Sequence, residues 1–232
     1  MAEKTELKTV RVPEPFREPF LKAQKYVTEY FQQELSDPTR GLRTISNERY
    51  ILVRAASISS KFIEVIKSMY PALEPEEARL TASNILFELA HAIGKADARS
   101  FHQKMGVVNP IEKLSAGPIH FAYTGWAYVD IFPESRAVPN SEYYLIYDHP
   151  QSFEADAWIA EGLKSDHPVC FMNAGYSSGW CEESFGLSLA AQEIICRASG
   201  SNACRFIMSP PEKLKQYVEE YRGKNPQLFQ GS

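Results

Sequence analysis

The stretch from Cys170 to Cys204 limits the fold of this chain more than any other. Cys196 and Cys204 stand eight residues apart, with Gly200 midway between them. Apolar pairs flank that glycine, Ile194-Ile195 before it and Phe206-Ile207 after it. This pattern predicts a β-hairpin in which Gly200 supplies a left-handed turn position. Cysteines facing one another across such a hairpin can present both sulfurs on one face. Cys170 comes from a separate element, and Glu193 precedes Cys196 by three residues. Three thiolates and a carboxylate form a donor set that suits tetrahedral zinc. A Cys196–Cys204 disulfide, or buried thiols acting as small hydrophobes, fits the same spacing. The metal reading makes two demands. Glu193 and Cys196 would face opposite sides of a regular strand, so a bulge is required. The site would also stay doubly negative around zinc, and Arg197 and Arg205 are the cations expected to offset it. Cys181 is left over and is read as a buried hydrophobe.

The residues Pro168-Val-Cys170, Gly175-Tyr-Ser-Ser-Gly179 and Glu193-x-x-Cys196-x-x-x-Gly200-x-x-x-Cys204-Arg205 carry a resemblance. They are similar to the sensor domain of XylR/DmpR/MopR-type activators, in the vinyl-4-reductase domain superfamily. The similarity covers roughly residues 41–210 and is strongest after residue 145. In that family the matching Cys, Glu, Cys and Cys hold a structural zinc. The resemblance therefore implies zinc on Cys170, Glu193, Cys196 and Cys204. It also implies an α+β fold, with helices packed on a small antiparallel sheet and a zinc-clamped C-terminal hairpin. The family module binds small aromatic effectors, tends to dimerise, and is related to subunits of a transport-protein-particle trafficking complex.

Composition narrows the function classes. The chain has 232 residues, 44% hydrophobic and 23% charged, which suits a globular core. A net charge of −4 excludes an obvious nucleic-acid-binding surface. No apolar run reaches transmembrane length, and the polar first residues lack a signal-peptide core. Four cysteines in a chain this long do not form a secreted disulfide framework, so a cytoplasmic setting is expected.

Along the chain, residues 1–15 read as a charged, proline-spaced arm, and residues 20–35 as an amphipathic helix. Together residues 1–40 form a candidate dimerisation element. A short strand is expected at 42–46. A helix is expected from Glu48 to Met69, on the stripe Ile51, Leu52, Ala55, Ile58, Phe62, Val65, Ile66 and Met69. A second helix runs from Pro75 to Met105, with Ala82, Ile85, Leu86, Leu89, Ile93 and Ala96 inward and Gly106 as its left-handed stop. His91 and His102 on it read as surface or packed residues. The chain is then expected to turn extended from Ala116-Gly-Pro118. An aromatic-rich antiparallel hairpin follows, over 121–131 and 143–147. A short helix at 153–163, a helix with a Gly-rich turn at 168–186, the metal hairpin and a last helix from Pro210 complete the order. Residues 41–210 are the sensor region, and residues 211–232 are a last helix and linker.

Catalytic motifs give little. Gly175-Tyr-Ser177-Ser-Gly179 matches the G-x-S-x-G nucleophile elbow, but all five histidines precede Ser177. That excludes the hydrolase order of serine, acid and histidine. Glu182-Glu183 reads as a solvated face. There is no phosphate loop and no dinucleotide fingerprint, so the reading is of a non-enzyme. An output domain (an activator ATPase, a kinase or a cyclase) is not in this chain.

Twelve Tyr, thirteen Phe and three Trp can line an apolar cavity. The phenol-sensing members of the family hold the effector hydroxyl with a His and a Trp. Aligned on the shared motifs, those positions fall on Phe121 and His149, with His120 one residue early. Trp180 takes an aromatic position that is Tyr in the family. The scaffold thus matches while the hydroxyl-binding pair does not. The expected effector is small, hydrophobic and aromatic, with His149 as polar anchor and Phe121, Trp126, Tyr147, Tyr176 and Trp180 around it. The competing reading is a protein-interaction or assembly module with no small-molecule effector.

Overall fold

In the computed structural model, residues 6–229 are described. Strand β1 (Val10–Arg11) precedes helix α1 (Arg17–Phe31), and β2 (Glu34–Asp37), β3 (Leu42–Ile45) and β4 (Glu48–Arg49) form a small antiparallel sheet. Helices α2 (Ser60–Met69), α3 (Pro75–Met105) and α4 (Pro110–Tyr123) follow. Strands β5 (Val129–Ile131) and β6 (Leu145–His149) lead to α5 (Phe153–Ala160) and α6 (Phe171–Phe185). The hairpin β7 (Ala190–Ile195) and β8 (Cys204–Ser209) then precedes α7 (Pro211–Lys224).

The main sheet has the order β1-β5-β6-β8-β7. All its pairings are antiparallel except the edge pair of β1 with β5, which is parallel, so the sheet is mixed rather than wholly antiparallel. Period-two alternation divides β6 between two cores. Leu145 and Tyr147 face the large helical layer, whereas Ile146 joins Ile194, Ile207 and Val218 beneath α7.

Helices α3 and α6 form the centre of the helical layer, and glycine sets their separation. A Cβ on Gly175 would lie 2.9 Å from the carbonyl carbon of Phe87 and nearer still to its oxygen. Gly94 and Gly179 abut the opposite backbone in the same way. The Gly175-Tyr-Ser-Ser-Gly179 segment is therefore continuous helix and contains no turn. Its glycines let two helix backbones touch.

Several expectations are corrected. The arm ends in β1, where Val10 is buried against the sheet, while residues 1–5 lie outside the described residues. The apolar face of α1 (Phe20, Ala23, Val27 and Tyr30) is buried, and α1 packs on α4 of the same chain. The helix expected from Glu48 starts only at Ser60, because Glu48–Arg49 pairs with β3 and a short 3-10 turn covers Ala55–Ile58. Ile51 and Leu52, expected in its core stripe, are 74% and 78% exposed. On α3 the buried stripe is Ala82, Leu86, Ala90, Gly94, Ala98 and Phe101, while Ile85, Leu89 and Ala96 face outward. Small residues face inward there because α6 comes so close. Ala116 to Phe121 is helical, not extended. Pro118 sits inside α4, which is tolerated in a buried helix when neighbours take up the freed carbonyl. The strand expected at 121–131 shortens to Val129–Ile131.

Candidate metal centre and ligand chamber

The four expected ligands converge. Cys170 is the residue just before α6, Glu193 lies on β7, Cys196 follows β7, and Cys204 opens β8. Gly200 closes the hairpin at a φ of 102°, a backbone that favours glycine. The register shifts between Glu193 and Ile195, which is the bulge the sequence required. It turns Glu193 to the side of the cysteines. One donor atom from each of Cys170, Glu193, Cys196 and Cys204 lies within 4.8 Å of the others, and all four residues are buried. Cys170 Sγ and Cys204 Sγ are 3.6 Å apart. All four cysteines are free thiols, so the hairpin is not closed by a disulfide.

The surroundings suit a cation. Glu193 Oε2 accepts the Cys170 N–H at 2.8 Å, while its buried Oε1 has no hydrogen-bond partner. The Arg197 N–H points at Cys204 Sγ at 3.4 Å, and the Ser152 hydroxyl is 3.1 Å from Cys170 Sγ. Such contacts orient and tune thiolate ligands. Burial alone pushes the Cys170 thiol and the Glu193 carboxyl toward their protonated forms. A divalent cation would reverse that preference. The side chains of Arg197 and Arg205, expected to offset the charge, are engaged elsewhere. Arg197 pairs with Asp156, and Arg205 with Asp148 at 2.7 Å and with the Tyr221 hydroxyl. Backbone N–H groups and a hydroxyl contact the cluster instead.

Sequence reasoning missed Glu154. It is fully buried and accepts the Met172 and Asn173 N–H groups at 3.0 and 2.9 Å. It thereby caps α6 beside Cys170, satisfying donors that a helix N-terminus leaves open. The acidic first turn of α5 was its only signal.

A second feature lies between the sheet and α4 and α6. Leu114, Gly117, Pro118, Phe121, Val129, Ile131, Leu145, Tyr147, Tyr176, Trp180 and Met208, with Ser177 and Cys181, surround a narrow chamber of about 30 Å³. Of the expected effector residues, Phe121, Tyr147, Tyr176 and Trp180 border it. Trp126 and His149 do not. Trp126 packs behind Tyr176, with ring centroids 4.9 Å apart, and opens onto a surface groove with Ile51, Leu52 and Met172. His149 is fully buried behind the wall, 4.6 Å from Phe206 and opposite Cys204 in the β6–β8 register. Neither of its ring nitrogens has a partner, and burial lowers its pKa to about 3, so the ring is neutral.

Two of the chamber's aromatic residues have their polar atoms engaged outside it. Trp180 Nε1 donates to the Lys113 carbonyl at 3.1 Å, and the indole lies against Gly117, where a Cβ would not fit. The Tyr176 hydroxyl donates to Asp97 at 2.9 Å and lies 2.8 Å from His120 Nδ1. Ser177 lies inside α6 rather than on a strand-to-helix elbow, so the nucleophile motif lacks its structural context.

Residues 153–210, which hold all four cluster residues, match the vinyl-4-reductase domain family. The chain carries a vinyl-4-reductase domain. That segment runs from α5 through β8 and so supplies the cluster and one wall of the chamber. The chain is 26% identical over 160 residues to the phenol regulator MopR of Acinetobacter guillouiae, covering 69% of this chain and 28% of that protein. It is 25% identical over 132 residues to the transcriptional regulatory protein XylR of Pseudomonas putida, covering 57% of this chain and 23% of that protein. The chain thus spans about a quarter of the length of these relatives. Its fold matches the crystal structure of the phenol-responsive sensory domain of the transcription activator PoxR with phenol. The TM-score is 0.69 at 18% identity, over 95% of this chain and all of that one. No helix among the described residues is long and apolar enough to cross a membrane.

Proposed function

We propose that this chain is a zinc-clamped, non-catalytic sensor module that binds a small aromatic effector and controls an output domain outside the sequence. The observation that carries the reading is the convergence of three thiols and a carboxylate beside an aromatic-walled chamber, within the vinyl-4-reductase domain. Zinc supplies a closed tetrahedral tie between Cys170 at the start of α6, Glu193 and Cys196 on the β7 side, and Cys204 on β8. The relatives are regulators named for phenol response or transcriptional control, which favours a regulatory role over catalysis. Residues 41–210 form the sensor, and α7 leads toward the output. The setting is cytoplasmic.

The chamber volume suggests how occupancy is reported. About 30 Å³ holds little more than a water or two, whereas benzene occupies an engineered cavity of roughly 150 Å³. The described state is the contracted one, and an effector selects an expanded state through its differential affinity. The same small volume favours the second reading, an assembly module whose chamber is filled by its own side chains.

The module works as a homodimer. With the apolar face of α1 spent on its own domain, the second copy docks on the exposed apolar strip Ile51, Leu52, Val53, Val65, Met69 and Leu89. Metal analysis with native mass spectrometry tests all of this together. The expected result is one zinc per chain, a dimer mass, and a mass increment on addition of a single-ring aromatic. A metal-free protein refutes the clamp, and a protein that takes up no aromatic supports the assembly reading.

A further inference from the structure

The chamber has three aromatic side chains with polar atoms, those of Tyr147, Tyr176 and Trp180. Two are committed elsewhere, since Tyr176 is held by Asp97 and His120, and Trp180 by the Lys113 carbonyl. The Tyr147 hydroxyl is different. It is buried and has no hydrogen-bond partner. Its ionisation is raised by burial and modulated by Ser177 and Cys181, both of which line the chamber, so the hydroxyl lies at that end. The Tyr147 ring is fixed by stacking on Phe206, with centroids 5.2 Å apart and planes 7° from parallel. Every other lining residue except Ser177 and Cys181 presents only an apolar surface.

An unpaired hydroxyl at the end of an otherwise apolar chamber is costly unless a ligand satisfies it. His149 cannot do this work from behind the wall, where Tyr147 and Phe206 separate it from the chamber.

We infer that Tyr147, with Ser177 beside it, is the polar anchor of the chamber, and that the effector is a single aromatic ring bearing one small oxygen substituent. This rests on the effector-binding reading above. The ring lies between Phe121, Tyr176 and Met208, and its oxygen accepts from the Tyr147 hydroxyl at the Ser177 end. Pinning of Tyr176 by Asp97 removes the competing donor, so orientation in the chamber is unique. A site built to hydrogen-bond an oxygen discriminates strongly against a ring that lacks it, because the buried hydroxyl is then left unpaired.

The test measures binding of phenol, benzaldehyde and toluene to the wild-type protein and to Tyr147→Phe, by calorimetry and by quenching of Trp fluorescence. Tyr147→Phe keeps the stacking ring and removes one oxygen, so the fold should persist, as circular dichroism will confirm. Affinity for at least one of the two oxygen-bearing rings should fall about ten- to a hundredfold in the variant, while toluene binding changes less than threefold. Equal losses for oxygenated rings and toluene, or no loss for any ring, overturn the anchor. Failure of the wild-type protein to bind any of the three overturns the effector reading itself, which separates the two failures. His149→Ala serves as the comparison. A larger loss of oxygenated rings there than in Tyr147→Phe returns the role to His149 and overturns the assignment.

Discussion

Replacing Gly175 by alanine tests the claim that backbone contact between α3 and α6 sets the geometry of the chamber. Alanine is the better helix former by about 1 kcal/mol, so propensity alone predicts stabilisation. The structure predicts the opposite. The new methyl would sit 2.9 Å from the Phe87 carbonyl carbon and 3.0 Å from its Cα. Carbon atoms pack at about 3.5–4.0 Å, so the helices must separate by at least half an ångström. The obstacle is backbone, which cannot rotate away as a side chain could. Overpacking of this kind costs about 1–3 kcal/mol, with the upper end expected against backbone. The net effect is a loss of about 2 kcal/mol, which lowers Tm by about 4–8 °C for a chain of this size. Gly223→Ala is the control. Gly223 lies in the last turns of α7 with no atom within 4 Å of an added Cβ, so it should be neutral or stabilising. Thermal melts of the two variants beside the wild-type protein decide the matter. If Gly175→Ala gains stability as Gly223→Ala does, the close packing of α3 on α6 is wrong, and so is the position of Tyr176.

Three further outcomes follow from the site and its surroundings. Cys204→Ser should lower zinc content from one per chain toward zero by mass spectrometry of metals and depress Tm by well over 10 °C, because the clamp's binding energy is folding energy; unchanged Tm in the metal-free variant would remove its structural role. Burial raises the Asp97 carboxyl to about 6 from an ordinary 3.8, against the lowering effect of the Tyr176 hydroxyl. Below pH 4 Asp97 is protonated in both the folded and unfolded chain; as pH rises through 6 the unfolded chain ionises first, so this group removes up to about 3 kcal/mol of stability. Asp97→Asn should therefore gain on the wild-type protein in urea melts between pH 4 and pH 7, and a difference that does not change with pH would contradict it. Leu52→Glu, on the exposed strip, should shift sedimentation from dimer to monomer while leaving zinc content intact, and an unaltered dimer would place the interface elsewhere.

The parts legible in the sequence were those carried by local chemistry. The Cys196–Gly200–Cys204 spacing gave the hairpin, Pro75 and Gly106 bounded α3, and the geometric conflict between Glu193 and Cys196 required the bulge that is present. The parts that were not legible depend on neighbours distant in sequence. Ala116-Gly-Pro118 reads as a breaker, yet it is helical because Gly117 is where the Trp180 indole lies against α4. Ile85 and Leu89 read as core because leucine and isoleucine usually are. On α3 the inward face must instead be alanine and glycine, since α6 arrives at backbone distance. Ile51 and Leu52 fit a helical stripe, but β4 pairs with β3 and takes that segment out of helix. Hydrophobic pattern reports which residues avoid water, not whether the covering surface belongs to the same chain.

The metal cluster and the chamber are not separate features, because the same elements build both. Cys170 precedes α6, and Tyr176, Ser177 and Trp180 follow on that helix along the chamber. Cys204 opens β8, and Met208 on the same strand closes the chamber from the sheet side. An ion joining Cys170 to Cys204 therefore fixes the distance between the helix and the strand that an incoming ring must push apart. With that end tied, expansion has to come at the far end, where α4 brings Leu114, Gly117 and Pro118. Helix α4 also carries α1, so movement that begins in the chamber reaches the N-terminal element before it reaches the clamped hairpin. On this argument the tie does more than stabilise: it directs the response to occupancy toward α1 and α4.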